Sequence, residues 1–260
     1  MTENKQTSTS RPALPRRHHT GCLLCGKSLV YHTQAESRTC AYCGKTFYTT
    51  CTCENGHYVC DACHRAALPA LLASALLDSR EKDPQVLLTQ TMTLPAVHMH
   101  GPEHHILVPC VLLTACRNSG GRLDLTDSIQ EAIRRAEQIP GGSCGYWGAC
   151  GAAIGAGIYL SILTGSSPLN REMWPLPQQL TARCLQENAK IGGPRCCKRT
   201  TRTAIETAVA FTEEKLGISM PHTHPVCTYA ADNQACLHTD CPYFPASCKE
   251  PAAQSAGDPV

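Results

Sequence analysis

The sequence predicts a small zinc-ribbon or treble-clef-like N-terminal module followed by a mainly α-helical domain with an irregular Cys-rich C-terminus. Three observations predict it. Eight of the 19 cysteines lie between Cys22 and Cys63 in close pairs, and a two-residue gap lets both thiolates of a tight turn grip one tetrahedral metal. From Ala66 onward apolar residues recur with helical period, and period-two alternation is nearly absent outside the first module. The last stretch spreads Cys227, Cys236, Cys241 and Cys248 among prolines without periodicity. The expected boundaries are a tail at 1–17, a Cys/His zinc-binding module at 18–65, the helical Cys-rich domain at 66–250 and a tail at 251–260, both tails being disordered.

Within the module, Cys22-Leu-Leu-Cys25-Gly26-Lys27 and Cys40-Ala-Tyr-Cys43-Gly44-Lys45 form an internal repeat. Glycine after the second cysteine lets backbone N–H groups turn toward the thiolates, as in a zinc knuckle. The candidate ligands are Cys22, Cys25, Cys40, Cys43, Cys51, Cys53, His57, Cys60 and Cys63, with His64 a further competitor. These suffice for two zinc ions. The spacing Cys53-x3-His57-x2-Cys60-x2-Cys63 resembles a RING core, although the flanking pairs are in the wrong order for one. Sequential and cross-braced pairing both remain open.

In the helical part, residues 68–77 form an apolar helix. Asp83-Pro84 supplies an N-cap and a first-turn proline for a short helix to about Met92. Gly101-Pro102-Glu103 starts the next, carried by Ile106, Leu107, Val108, Val111, Leu112 and Leu113 to a stop at Gly120-Gly121, with Pro109 expected to kink or split it. Ser128 and Glu131 fit a capping box ahead of residues 132–137. A glycine-rich segment from Gly141 leads to a buried helix ending near Gly165. Two further helices are expected at 177–190 and at 197–216, the second stopped by Gly217. The apolar part of the longest uncharged stretch, about 149–163, falls short of the ~20 residues a membrane span needs.

A net charge of +2 carries no nucleic-acid signature, and 42% hydrophobic against 17% charged residues is core-rich. With only three Phe and two Trp, the core leans on Ala, Leu, Ile and Val. No apolar stretch resembling a signal peptide appears in 1–17, and the cysteine count is odd. Both features predict a cytoplasmic protein whose cysteines bind metal or do redox chemistry.

Three segments can carry chemistry. His98-Met-His100-Gly-Pro-Glu-His104-His105 gathers four histidines at a helix N-terminus, where imidazoles can bind a metal or move protons, His104 and His105 being the candidate carriers. Cys144 and Cys150 stand in the dense glycines ahead of the buried helix, where a helix dipole is expected to depress a thiol pKa. Gly192-Gly-Pro-Arg195-Cys196-Cys197-Lys198-Arg199 sets a vicinal cysteine pair beside cations, so that Arg195 or Lys198 can hold an anionic group. The tail spacing Cys227-x8-Cys236-x4-Cys241-Pro242 has the look of iron–sulfur ligation. The expected cofactor-binding thiols are therefore Cys144, Cys196, Cys197, Cys227, Cys236 and Cys241, with Cys150 as a catalytic candidate.

These motifs, together with Cys241-Pro-Tyr-Phe244, resemble a Cys-rich domain family of unknown function from anaerobic bacteria and archaea, over roughly residues 20–248. Some of its members are fused to SAM-dependent methyltransferases. The resemblance implies a cytosolic metalloprotein and supplies no activity. A fainter similarity links the Pro109 helix and the Gly-Cys-Gly segment to the small-residue helices of iron–sulfur hydro-lyases. The expectation is an enzyme using an iron–sulfur cluster or second metal for lyase, sulfur or redox chemistry on a small-molecule or thiol substrate. The alternative is a zinc-stabilised binding or sensing partner of a methyltransferase.

Overall fold

The computed structural model describes residues 21–66 and 68–245. Both expected disordered tails and Cys248 lie outside the described residues. The module is a two-stranded antiparallel hairpin of β1 (Leu29–Thr39) and β2 (Thr46–Cys53), pairing Leu29 with Cys53 and Thr39 with Thr46. The register slips between Tyr31 and Glu36, where β1 carries extra residues. Nearly all of β1 is exposed. A lone hairpin without a buried face is marginal in water, so the Cys groups at its two ends have to hold it.

A short helix, α1 (Asp61–Arg65), leads into the helical body. In α2 (Leu68–Leu76), Leu68, Leu72 and Leu76 recur every fourth residue, so one stripe enters the core. Helix α3 (Pro84–Thr91) is capped as expected: the Asp83 carboxylate accepts from Gln85 N at 2.7 Å and Val86 N at 3.3 Å.

Helix α4 (Glu103–Asn118) is the hub, buried at every residue from Glu103 to Cys116. It packs against α2, α3, α5, α7 and α9. A helix walled on all sides can be apolar all round. Of the kink or split expected at Pro109, the split does not occur: α4 runs from Glu103 to Asn118 with the proline inside it. Proline withholds the N–H that the His105 carbonyl would accept. That oxygen is instead covered by Gly155, where an added Cβ would come within 2.8 Å of it.

Helix α5 (Leu125–Ala136) begins a turn before the expected capping box. Asp124 caps it by accepting from Asp127 N at 2.9 Å. Ser128 is buried inside the helix, and Glu131 bonds Arg134 and Arg135. A stronger cap upstream displaced the weaker one.

A single turn, α6 (Ser143–Tyr146), precedes α7 (Gly151–Thr164). Gly151 and Gly155 let α7 lie close on α4, and Gly157 does the same toward α8 (Pro175–Ile191). Gly165 closes α7 in the left-handed region at φ 63°.

Helix α9 (Cys197–Leu216) has the expected bounds and ends at Gly217. Its buried threonines satisfy themselves by back-bonding: Thr201 to Cys197 O at 2.7 Å, Thr207 to Thr203 O at 2.8 Å and Thr212 to Ala208 O at 2.7 Å. Beyond it, as far as residue 245, the described chain is irregular apart from two 3₁₀ turns, and Tyr243 ties it to α9 through Thr203 and Glu206. No helix among the described residues is long and apolar enough to cross a membrane.

Candidate metal centres

The repeated knuckles fold alike. Cys22 N bonds Lys27 O at 2.8 Å and Cys40 N bonds Lys45 O at 2.8 Å, while Gly26 and Gly44 turn through positive φ. They nevertheless serve different centres. Cys22 and Cys25 meet Cys53 and His57 at the open end of the hairpin; Cys40 and Cys43 meet Cys60 and Cys63 at its turn. First pair joins third and second joins fourth, so the ligand pairs interleave.

The donors fit an ion. A tetrahedral metal with bonds of about 2.3 Å to sulfur sets those sulfurs about 3.8 Å apart. Cys25 Sγ lies 3.8 Å from Cys53 Sγ, and Cys43 Sγ lies 3.8 Å from Cys60 Sγ. His57 turns Nδ1 to within 3.3 Å of Cys25 Sγ. Backbone N–H groups of His57 and Cys60 point at Cys53 Sγ and Cys40 Sγ, both at 3.3 Å. Burial would raise the Cys40 thiol, but N–H groups of Cys60, Cys43 and Tyr42 outweigh it and bring it to about 6. Each group can hold one metal ion, and no disulfide links any described cysteine.

Cys51, expected among these ligands, stands outside both groups. Burial raises its thiol, opposed by the Tyr31 hydroxyl and the Arg195 charge. Arg195 donates to the Tyr31 hydroxyl and sets its guanidinium carbon 5.1 Å over the ring. The same charge acts on Cys144 and Cys197. Cys150 caps α7, and Cys197 is the first residue of α9. The N-terminal ends of α4, α7 and α9 meet here, with the His105 ring against Gly151.

The depressed thiol expected at Cys144 is not found. Burial raises Cys144 and Cys196 and pushes Cys197 up to about 12. The helix-dipole argument fails because desolvation of buried thiols outweighs the dipole and the nearby Arg195.

The vicinal pair splits. Cys196 turns away from Cys197 into a cavity that it lines with Cys227, Cys236 and Cys241. Tyr229 N donates to Cys227 Sγ at 3.4 Å and His238 N to Cys236 Sγ at 3.3 Å. Lys198, Arg199 and Arg202 line the same cavity and are all buried. Lys198 Nζ and Arg202 Nε have no hydrogen-bond partner among the described residues. The Lys198 ammonium sits 4.5 Å from the centre of the Tyr229 ring, and burial lowers it to about 8. The four thiols do not converge within 4.8 Å as the mononuclear groups do. They surround a space.

The remaining described cysteines, Cys110, Cys116 and Cys184, are core residues with no exposure. They act as small apolar side chains.

The histidine segment divides its members. His104 is buried with Nδ1 3.2 Å from Gly101 O, and His105 with Nδ1 3.3 Å from Ile139 O. Burial drives both below the usual imidazole range. His104 is almost fully enclosed and His105 is 8% exposed.

His100 contacts Asn233 Oδ1 at 3.3 Å and lines a cleft of about 280 Å³ with Tyr31, Arg195 and Asn233. Asn233 also walls the thiol cavity. Lys198 and Arg195, the alternative candidates for holding an anionic group, face different spaces.

His98 and Glu103 join His64 of α1 in a third group of donors. Burial alone would raise Glu103, but the rings of His64 and His98 hold its carboxyl well below the usual range. From the sequence, His64 reads as a spare zinc ligand; its five-residue helix turns it away from Cys63 and toward α4.

A model for a family of unknown function (DUF5714) matches residues 72–244. The match covers the helical body and its Cys-rich end and leaves out the interleaved module. No curated protein and no solved structure matches the chain.

Proposed function

The chain belongs to the DUF5714 family of unknown function, and on that premise we propose a redox metalloenzyme with two zinc ions in its module and an iron–sulfur cluster in its body. The cavity of Cys196, Cys227, Cys236 and Cys241 is the observation that carries this reading. Thiols from two distant stretches surround it. Two of them receive backbone N–H bonds, the usual second-shell support of cluster sulfurs.

The Lys198 ammonium, which rests on the Tyr229 ring, and Arg202 Nε lack hydrogen-bond partners, which supports an anion in that space, since burying cations without one is costly. A cluster carried by four thiolates is such an anion and supplies one-electron chemistry. Four cysteines also complete the ligation, which favours electron transfer over the open iron a lyase needs. The cleft beside it, sharing Asn233 and lined by His100 and Arg195, suits a small anionic substrate. Arg195 holds and orients that substrate there.

The test is metal and acid-labile sulfide per chain after anaerobic purification, in the wild type and in Cys236→Ser and Cys241→Ser. The reading expects iron and sulfide in the wild type, lost in both variants while zinc stays. Zinc without sulfide in the wild type would overturn it in favour of a zinc-stabilised binding protein.

A further inference from the structure

Glu103 has no solvent exposure, at the first turn of α4. A buried carboxylate requires partners. One oxygen has an evident one: Oε1 accepts the His98 backbone N–H at 2.8 Å. The other, Oε2, has none in hydrogen-bond alignment, nor do the Nδ1 atoms of His64 and His98. Yet His64 Nδ1 lies 3.1 Å from Oε2 and His98 Nδ1 3.4 Å from Oε1. The three groups face a common point more than one another.

We propose that His64, His98 and Glu103 form a mononuclear site for a divalent first-row transition metal, with a coordination position left open. The donor atoms lie within 4.8 Å of one another, and the two histidine–carboxylate separations suit a ligand shell that the carboxylate enters through both oxygens. Donors about 2.1 Å from one ion stand about 3.0 to 3.4 Å apart across octahedral or tetrahedral edges. Two imidazoles and one carboxylate are the donor set of catalytic zinc and of non-haem iron(II) centres, which keep positions free for water or substrate.

Gly101 adds an independent observation. An added Cβ there would fall 2.1 Å from Glu103 Oε2 and 2.7 Å from its carboxyl carbon. The carboxylate is folded back into the space that any side chain would fill, so the Gly-Pro-Glu turn builds a cradle for it. The rings of His64 and His98 are 17% and 18% exposed, while the donor atoms Nδ1 of both and Oε2 of Glu103 are themselves buried. The site would also join the module to the body, because His64 follows the thiolate ligand Cys63 while His98 and Glu103 belong to the body. It is independent of the cluster reading: its donors are nitrogen and oxygen, and it contains no sulfide.

Cobalt(II) titration of the full chain, stripped by a mild chelator under anaerobic conditions, tests it. Cobalt in the two thiolate groups shows intense sulfur-to-metal charge transfer; cobalt in an N,N,O site shows only weak ligand-field bands. The expected result is one further equivalent without charge transfer, bound at least about 100-fold more weakly in His98→Ala and Glu103→Gln, given that losing even an outer-shell partner costs 10–100-fold. If Glu103→Gln fails to fold, the partly exposed His98→Ala decides, its fold checked by the two thiolate-bound equivalents. Absence of the further equivalent in the wild type, or unchanged binding in a folded His98→Ala chain, would overturn the proposal.

Discussion

In the module, β1 leaves nearly every side chain exposed, whereas α4 buries every residue from Glu103 to Cys116. Both are ordered. The body earns its order from apolar area removed from water and the close seating of helices over glycine. The module has almost no such area, and its order depends on two tetrahedral sets of donors at the ends of a hairpin. One chain thus sets a body closed by apolar packing beside a module whose buried side chains are mostly candidate metal-donor cysteines.

The sharpest way to break this comparison is to remove an ion. Cys60→Ser should cost the module on the order of 10 kcal/mol, the scale of structural zinc binding. Hydrogen exchange should then show the amides of β1 and β2 unprotected while helical circular dichroism persists. A hairpin that stays protected would show that contacts, not donors, hold it.

The converse variant is Leu112→Ala, which empties a fully buried position of α4. It should destabilise the body by about 2–5 kcal/mol in denaturant unfolding, with zinc content unchanged. Gly155→Ala presses a methyl group onto the His105 carbonyl and the Pro109 ring, and about 1–3 kcal/mol is expected. An effect near zero would show that α7 can move off α4. The smallest effect belongs to Asp83→Ala. It removes the cap of α3 and the bond from Thr223 N at 2.7 Å, lowering the midpoint of body unfolding by about 1 kcal/mol.

Local chemistry was legible in the sequence. Asp83-Pro84, Gly165 and Gly217 mark helix ends because capping is decided by one or two residues. The knuckle repeat was legible for the same reason. What depends on the third dimension was not. The interleaving of ligand pairs follows from the hairpin carrying Cys40 and Cys43 to the far end of β1. The split of Cys196 from Cys197 follows from where α9 begins, between a cavity and the Arg195 face. The thiol pKa values went against the helix-dipole expectation because burial, invisible at a single position, dominates them. His64 was legible as a candidate ligand of the module and not as the partner of Glu103 on α4.

Helix α1 has five residues, starts directly after Cys60 and contains Cys63. A helix that short has no stability of its own, so its direction, and with it the aim of His64, rests on the thiolate group at one side and on two bonds to the body at the other, Arg65 to Glu137 O at 2.9 Å and Gly141 N to Asp61 at 2.7 Å. At the proposed histidine–carboxylate centre, affinity would then depend on the thiolate site beside it: an empty thiolate site would leave the aim of His64 to those two bonds alone, and metal supply at one centre would tune the other without any change to its residues.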